Sequence, residues 1–303
     1  MEKILVTGGS GLVGSHLKRF LPDASYISSS DFDLTRETDV KRLFDTKWGR
    51  VIHLAGRVGG ILENIRHPAE FIEENLLLNT LLLRYARLSE VPRFTALLST
   101  CIYPDVTESY PMTEADLNQG PPQETNFAYA ISKIAMAAQI DAYNKQYSTR
   151  YNYLIPSNLF GEHDRVNLEK SHFLTALLGK ILKAEQNGES SVRLLGTGKP
   201  LRQFLHADDL CGVIRQCVDQ DITGSFNVAP DENLSIREIA GIAVDVCTGG
   251  RLTIEFDNDS PDGQFRKDVS NERMKKALGE FEFTPLREGI ARVYAHYREH
   301  NAI

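Results

Sequence analysis

Lys3-Ile-Leu-Val-Thr7, followed by Gly8-Gly9-Ser10-Gly11-Leu12-Val13-Gly14, decides the fold. The first five residues are an aliphatic, β-branched run, the pattern of a parallel strand covered on both faces. The glycines then fall as G-x-x-G-x-x-G and open a segment of helical pattern that runs through Phe20. Glycine permits the tight turn and lets backbone amides approach a pyrophosphate, which the N-terminus of the following helix favours. Strand, glycine turn and helix in that order predict the first unit of a dinucleotide-binding sheet.

The alternation continues along the chain. Strands are expected at about 24–28, 50–54, 93–98 and 151–156. Pro68 to Ser89 reads as a long amphipathic helix with apolar residues at Phe71, Ile72, Leu76, Leu81, Leu82 and Tyr85. Repeated βα units predict an α/β chain built on a doubly wound parallel sheet, a Rossmann fold. The second strand should end over the adenosine ribose, where an acid favours NAD and a phosphate-binding group favours NADP. Here stand Ser28-Ser29-Ser30 and, slightly late, Asp31. Hydroxyls bond a phosphate without repelling it, so the reading is NADP. Ala55 to Gly60 reads as a loop beside the cofactor diphosphate, with Arg57 either on a phosphate or on plain surface.

Ala96-Leu97-Leu98 ends at Ser99, the place where an open α/β sheet meets its ligands. About thirty residues later, Tyr129 and Lys133 stand four apart at the start of a helical segment and so share one face. A serine, a tyrosine and a lysine so placed can exchange a proton with a carbonyl or alcohol beside a hydride donor. The Lys133 ammonium is expected to lower the Tyr129 phenol from its usual pKa of about 10.

Beyond Gly161 the texture changes. A polar loop at 162–171 precedes helices read at 172–186, 235–247, 271–278 and 285–299, with short strands at 193–195 and 225–228. The chain thus divides into a dinucleotide-binding domain, 1–160, to which later segments return, and a smaller C-terminal α/β substrate lobe, 161–303. A net charge of -7 argues against a nucleic-acid binder. No apolar run approaches the ~20 residues that span a bilayer, and no basic-then-apolar leader opens the chain, so a cytoplasmic protein with no membrane partner is expected. The four cysteines show neither a CxxC pair nor metal-ligand spacing, which implies a reducing compartment and no metal. Cys211, Cys217 and Cys247 fall on helical patterns and read as core; His16, His53 and His206 read as structural.

Taken together, Thr7 to Gly14, His53 to Gly56, Ser99, the Tyr129/Lys133 pair and Arg202 to Asp209 resemble the extended short-chain dehydrogenase/reductase family of nucleotide-sugar enzymes, over essentially the whole chain. Arg57–Ile61, Ser99–Pro104, Pro156–Asp164, Ser171-His172 and Ser260–Asp268 narrow the resemblance to those members that turn GDP-4-keto-6-deoxy-D-mannose into GDP-L-fucose. The resemblance implies NADPH as cofactor, a GDP-sugar as substrate and a homodimer formed through helices such as Pro68–Ser89.

It also implies a mechanism. The C4 ketone acidifies the hydrogens on C3 and C5. Cys101 and His172 are the implied proton-transfer pair for epimerisation, read here with Cys101 as base and His172 as acid, while their division of labour at each carbon stays open. Ser99 binds the C4 oxygen, Tyr129 protonates it as hydride arrives, and Lys133 tunes Tyr129 and holds the nicotinamide ribose. Implied cofactor contacts are the glycine-loop residues Gly8, Ser10, Gly11, Leu12, Val13 and Gly14, then Ser28 and Ser29 at the ribose. Leu97, Lys133, Pro156, Asn158, Leu159 and His172 complete them on the nicotinamide side. Lys180, Arg202, Asp262 and Lys267 match positions that grip the GDP-sugar. Leu195, also on the substrate side, stands where bacterial members often carry a Trp before a Gly-x-Gly turn. Another GDP-sugar such as a 4-keto heptose, a UDP-sugar 4-epimerase, and a non-catalytic cofactor sensor remain as alternatives.

Overall fold

A computed structural model describes residues 2–164, 166, 171–260 and 262–300, with only the backbone of residue 61. Positions 165 and 167–170 of the expected 162–171 loop, and Pro261 of the 260–268 motif, lie outside the described residues. The first half of the chain runs β1 (Ile4–Thr7), α1 (Leu12–Phe20), β2 (Ser25–Ile27), α2 (Glu37–Leu43), β3 (Arg50–His53), α3 (Ile61–Arg66), α4 (Pro68–Leu88), β4 (Arg93–Leu97), α5 (Phe127–Tyr147) and β5 (Arg150–Pro156). The second half adds β6 (Asn158–Phe160), α6 (Phe173–Asn187), β7 (Ser191–Leu195), β8 (Leu201–Arg202), β9 (Phe204–His206) and α7 (Ala207–Asp219). It closes with β10 (Phe226–Val228), β11 (Leu234–Ser235), α8 (Ile236–Thr248), β12 (Thr253–Asp257), α9 (Glu272–Leu278) and α10 (Leu286–Glu299).

Six strands form one parallel sheet in the order β2-β1-β3-β4-β5-β10. Successive strand residues face opposite sides. Leu5 and Val51 enter one core with Phe94, Leu82, Leu83 and Ile140, under α4 and α5. Val6, Ile52 and Leu154 enter the other with Leu17, Leu210 and Ile214, under α1 and α7. Both faces are covered, which is why these strands read as unbroken apolar runs. The strand order reverses between β1 and β3, and a crevice opens there at the carboxyl ends of the strands.

A separate core joins α6, α8 and α10 to a parallel pair, β7 and β12, through Leu177, Leu178, Ile181, Ile239, Ile290 and Val293. β10 comes from beyond α6 and α7 in the chain, yet Phe226 stands opposite Leu154 of β5. Among the described residues no helix is long and apolar enough to cross a membrane.

One helix departs from its sequence pattern. On α4, Ile72, Leu76, Leu81 and Tyr85 are only half-buried, whereas Asn75 and Asn79 are buried beside Phe71 and Leu82. Two amides can occupy a helix's inner face only if they are hydrogen-bonded there. Both are, and what they hold is the cofactor side of the site.

Candidate active site

At the β1/β3 crevice the glycine turn is fixed by sterics. Gly8 sits at φ +74°, and a Cβ on it would stand 2.8 Å from the Ala55 nitrogen. A Cβ on Gly14 would collide with the Gly8 carbonyl oxygen and come within 2.7 Å of Gly9 Cα. Strand, turn and helix therefore close on one another only with glycine at both places. Gly11 begins α1 with no side chain to cap it, and the first turn carries no acid. The leading amides of α1, flanked by exposed Ser10 and by Leu12 and Val13, are thus open to an anion, and the cradle fits a dinucleotide diphosphate.

Asn75 and Asn79 build the opposite wall. Asn75 Oδ1 accepts from the Arg57 amide at 3.0 Å and its Nδ2 donates to the Arg57 carbonyl at 3.0 Å, pinning the 55–60 loop. The Arg57 guanidinium pairs with Glu74 and lies over the Phe71 ring, so it is bound within the fold. Asn79 Oδ1 accepts from His53 Nε2 at 3.0 Å, and Thr7 Oγ donates to His53 Nδ1 at 2.7 Å, a tautomer inferred from these partners. Burial, aided by Lys133, drives the His53 pKa down to about 3, so this histidine is a neutral strut.

At the end of β2, the Ser28 amide and hydroxyl both donate to Asp31 at 2.8 Å, and the Ser28 and Ser30 hydroxyls lie 2.7 Å apart. Asp31, expected to fall late, is folded back onto Ser28, and those bonds hold its carboxyl below its usual range. Exposed Ser29 has no hydrogen-bond partner among the described residues.

The chemistry gathers between β4 and α5. Lys133 is buried, 3% exposed, and its Nζ donates to the Leu97 carbonyl at 3.0 Å while lying 5.8 Å from the Tyr129 ring centroid. Burial brings the Lys133 ammonium from 10.5 to about 8, against the opposing pull of Cys101. The same burial raises the Tyr129 phenol well above its ordinary value. The expected lowering of Tyr129 by Lys133 is therefore overturned, because desolvation outweighs a neighbouring ammonium that is itself poorly solvated. A phenol held protonated is a competent proton donor at neutral pH.

Ser99 caps a single turn of 3-10 helix, Thr100–Ile102, by accepting from the Cys101 amide at 3.4 Å. Cys101 is 6% exposed, stands two residues beyond Ser99 on that turn, and is near enough to Tyr129, Lys133 and Lys267 to act on their charge. Pro156 ends β5, and Asn158 and Leu159 open β6, where Asn158 Nδ2 donates to the Gln203 carbonyl at 2.8 Å. His172 stands apart, an exposed N-cap of α6 whose ring makes no hydrogen bond among the described residues.

On the lobe side, Lys180 Nζ donates to the Arg193 carbonyl at 3.4 Å and Arg202 Nη1 to the Leu201 carbonyl at 2.6 Å. Burial depresses the pKa of Lys180, Arg202 and Lys267 alike. None of the three has a carboxylate within ion-pair distance among the described residues, although this is an acidic chain. Half-buried cations without a paired carboxylate can receive an anion. Asp262 is spent elsewhere: it accepts from the Thr197 amide at 2.8 Å and the Thr197 hydroxyl at 2.6 Å, stapling the 196–200 turn. Leu195, just before that turn, is 71% exposed.

Sequence reasoning missed several residues that position the site. Gln203 is buried; its Nε2 donates to the Pro230 and Val269 carbonyls at 2.9 and 3.1 Å, and its Oε1 accepts from the Val269 amide at 2.9 Å. The clue available was polarity inside apolar runs: Gln203 beside Phe204 and Leu205, and Asn75 and Asn79 four apart on one helix face.

A doubly wound sheet with a glycine turn at its switch point and a Ser–Tyr–Lys group at the next strand end defines the extended short-chain dehydrogenases and their epimerase and dehydratase relatives. The chain belongs to the NAD dependent epimerase/dehydratase family, which its residues 4–229 match. It is 33% identical to GDP-L-fucose synthase of Dictyostelium discoideum, over 95% of this chain and 92% of that one. It is 30% identical to GDP-L-fucose synthase of Escherichia coli (strain K12), over 98% and 97%. Its fold is similar to that of a GDP-L-fucose synthetase from Naegleria fowleri bound to NADP, with a TM-score of 0.90 and 31% identity over 99% of this chain and 93% of that one.

Proposed function

We propose that this chain converts GDP-4-keto-6-deoxy-D-mannose to GDP-L-fucose, epimerising C3 and C5 and then reducing C4 with NADPH. The observation that carries the reading is Cys101, a buried thiol whose amide donates to Ser99 Oγ and which acts on the charge of Tyr129 and Lys133. A plain reductase has no use for a proton-transfer group there. Cys101, as its thiolate, takes a proton from C3 or C5 and the electron pair moves onto the C4 oxygen; as that pair returns and the carbonyl re-forms, His172 gives its proton to the same carbon on the opposite face. Ser99 and Tyr129 hold that oxygen through both steps. The bound dinucleotide supplies the hydride for C4, and Tyr129 gives its proton to the oxygen as it becomes an alcohol. Lys133 holds the cofactor ribose and supports Tyr129. Lys180, Arg202 and Lys267 take the diphosphate.

The names of the relatives support the GDP-sugar, and the NADP-bound structural relative supports the cofactor. On this reading residues 1–160 with the returning strand β10 hold the dinucleotide, and most of 161–303 holds the substrate. The protein works as a cytoplasmic homodimer through α4. Reduction of another GDP-sugar without epimerisation is the second reading, favoured by the exposed, unengaged ring of His172.

One incubation in D₂O with GDP-4-keto-6-deoxy-D-mannose, with NADPH and NADH in parallel, separates them. Cofactor oxidation with deuterium at C3 and C5 is expected. Oxidation without deuterium makes the protein a plain 4-reductase and removes Cys101 and His172 from the chemistry, and no oxidation with either cofactor removes the named substrate and leaves another GDP-sugar.

A further inference from the structure

Residues 262–268 form a strap across the mouth of the site. At one end Asp262 bonds Thr197, and the Leu201 amide donates to the Phe265 carbonyl at 2.8 Å. Across the mouth, Gln264 Nε2 donates to the Asp105 carbonyl at 3.0 Å, on the segment that follows Cys101. At the far end the Met112 amide donates to the Asp268 carbonyl at 2.9 Å, and Val269 bridges Met112. The strap is therefore held on both sides of the pocket.

Within it, Gly263 looks onto the Arg202 guanidinium: a Cβ there would stand 3.4 Å from Nη2. Lys267, on the same strap, is half-buried, and its ammonium is near enough to Cys101, Arg202 and Asp105 for all three to act on its charge. Phe265 lies at a bend of the strap, two residues beyond Gly263, with its carbonyl on the amide of Leu201, the neighbour of Arg202. Its backbone is committed to Leu201, yet its ring is 61% exposed. A single exposed phenylalanine is ordinary on a protein surface. One fixed on a strap beside Arg202 and Lys267, neither of which is in an ion pair among the described residues, is a platform with an anion site next to it.

The geometry points to Phe265 as the stacking surface for the nucleobase of the substrate, a nucleoside diphosphate whose phosphates lie on Arg202 and Lys267. This rests on the GDP-sugar reading above and adds to it the residue that grips the base. Stacking tolerates any base, so Phe265 contributes affinity and leaves the choice of guanine to other contacts.

The test is calorimetric binding of GDP and of inorganic pyrophosphate to the intact wild-type, Phe265→Ala and Phe265→Trp proteins. Base–aromatic stacking predicts that Phe265→Ala weakens GDP by about 5- to 150-fold, while pyrophosphate is unchanged. Phe265→Trp should restore GDP, and NADPH affinity should be the same in all three. If Phe265→Ala binds GDP like wild type, or loses pyrophosphate equally, the stacking role is refuted. If wild type binds pyrophosphate but not GDP, the GDP-sugar reading itself fails and the proposal with it.

Discussion

Lys133 is held in the folded protein against its own solvation, and replacing it with methionine should show how strongly. The ammonium is 3% exposed and titrates near 8 in place of 10.5. At about 1.36 kcal/mol per pH unit, that gap is about 3 kcal/mol of destabilisation whenever the group is charged in both states. Lys133→Met removes this burden but leaves the Leu97 carbonyl without its donor, a loss of about 1 kcal/mol. The variant should therefore be more stable than wild type by about 2 kcal/mol at pH 7, while reduction falls by roughly 100-fold or more. The unfolded chain keeps its proton up to pH 10.5 and the folded chain releases it near 8. Wild-type stability consequently rises with pH across that window, and the variant's advantage shrinks there. Urea unfolding at pH 7, 8.5 and 10, alongside cofactor oxidation, measures both effects. A variant less stable than wild type at pH 7, or an advantage that does not shrink toward pH 10, would refute the assignment of Lys133 as a strained buried cation.

Tyr129→Phe should cut C4 reduction by about 100- to 10,000-fold while deuterium still enters C3 and C5, and Cys101→Ser should do the reverse; product NMR in D₂O reads both. Gly14→Ala forces a Cβ onto the Gly8 carbonyl, a rigid neighbour, and should lose about 1–3 kcal/mol in thermal unfolding and weaken NADPH binding by fluorescence titration. Asp31→Asn removes the one carboxylate folded against Ser28 and should raise the NADPH-over-NADH ratio of kcat/KM, since a 2′-phosphate would no longer meet a like charge.

The parts of this fold that depend on local pattern were legible in the sequence. β1, the glycine turn and α1 are contiguous, and their spacing is set by steric needs that only glycine meets. Tyr129 and Lys133 are one helical turn apart, so helix geometry alone puts them together. What escaped reading depends on partners far away in the chain. Asn75 and Asn79 look like surface residues until the 55–60 loop and His53 come to lie on them. Gln203 takes its meaning from Val269 and Pro230. β12 has a half-exposed, mixed sequence and becomes a strand only because β7 is beside it. The direction of the Tyr129 pKa shift was misjudged for a similar reason: spacing reports which groups are neighbours, but not how much water remains around them.

The placement of β10 has a consequence for how the chain is made. β5 is complete at Pro156, but the strand that covers its edge begins only at Phe226, roughly seventy residues later. Synthesis at about 5–20 residues per second leaves that edge bare for several seconds or more. Throughout that interval Tyr153, Leu154 and Ile155 present unpaired backbone on an apolar strand, a template for another copy of the same unfinished chain. The aggregation hazard of this protein thus belongs to its birth rather than to its finished state, and slowing translation between those two strands would lengthen it.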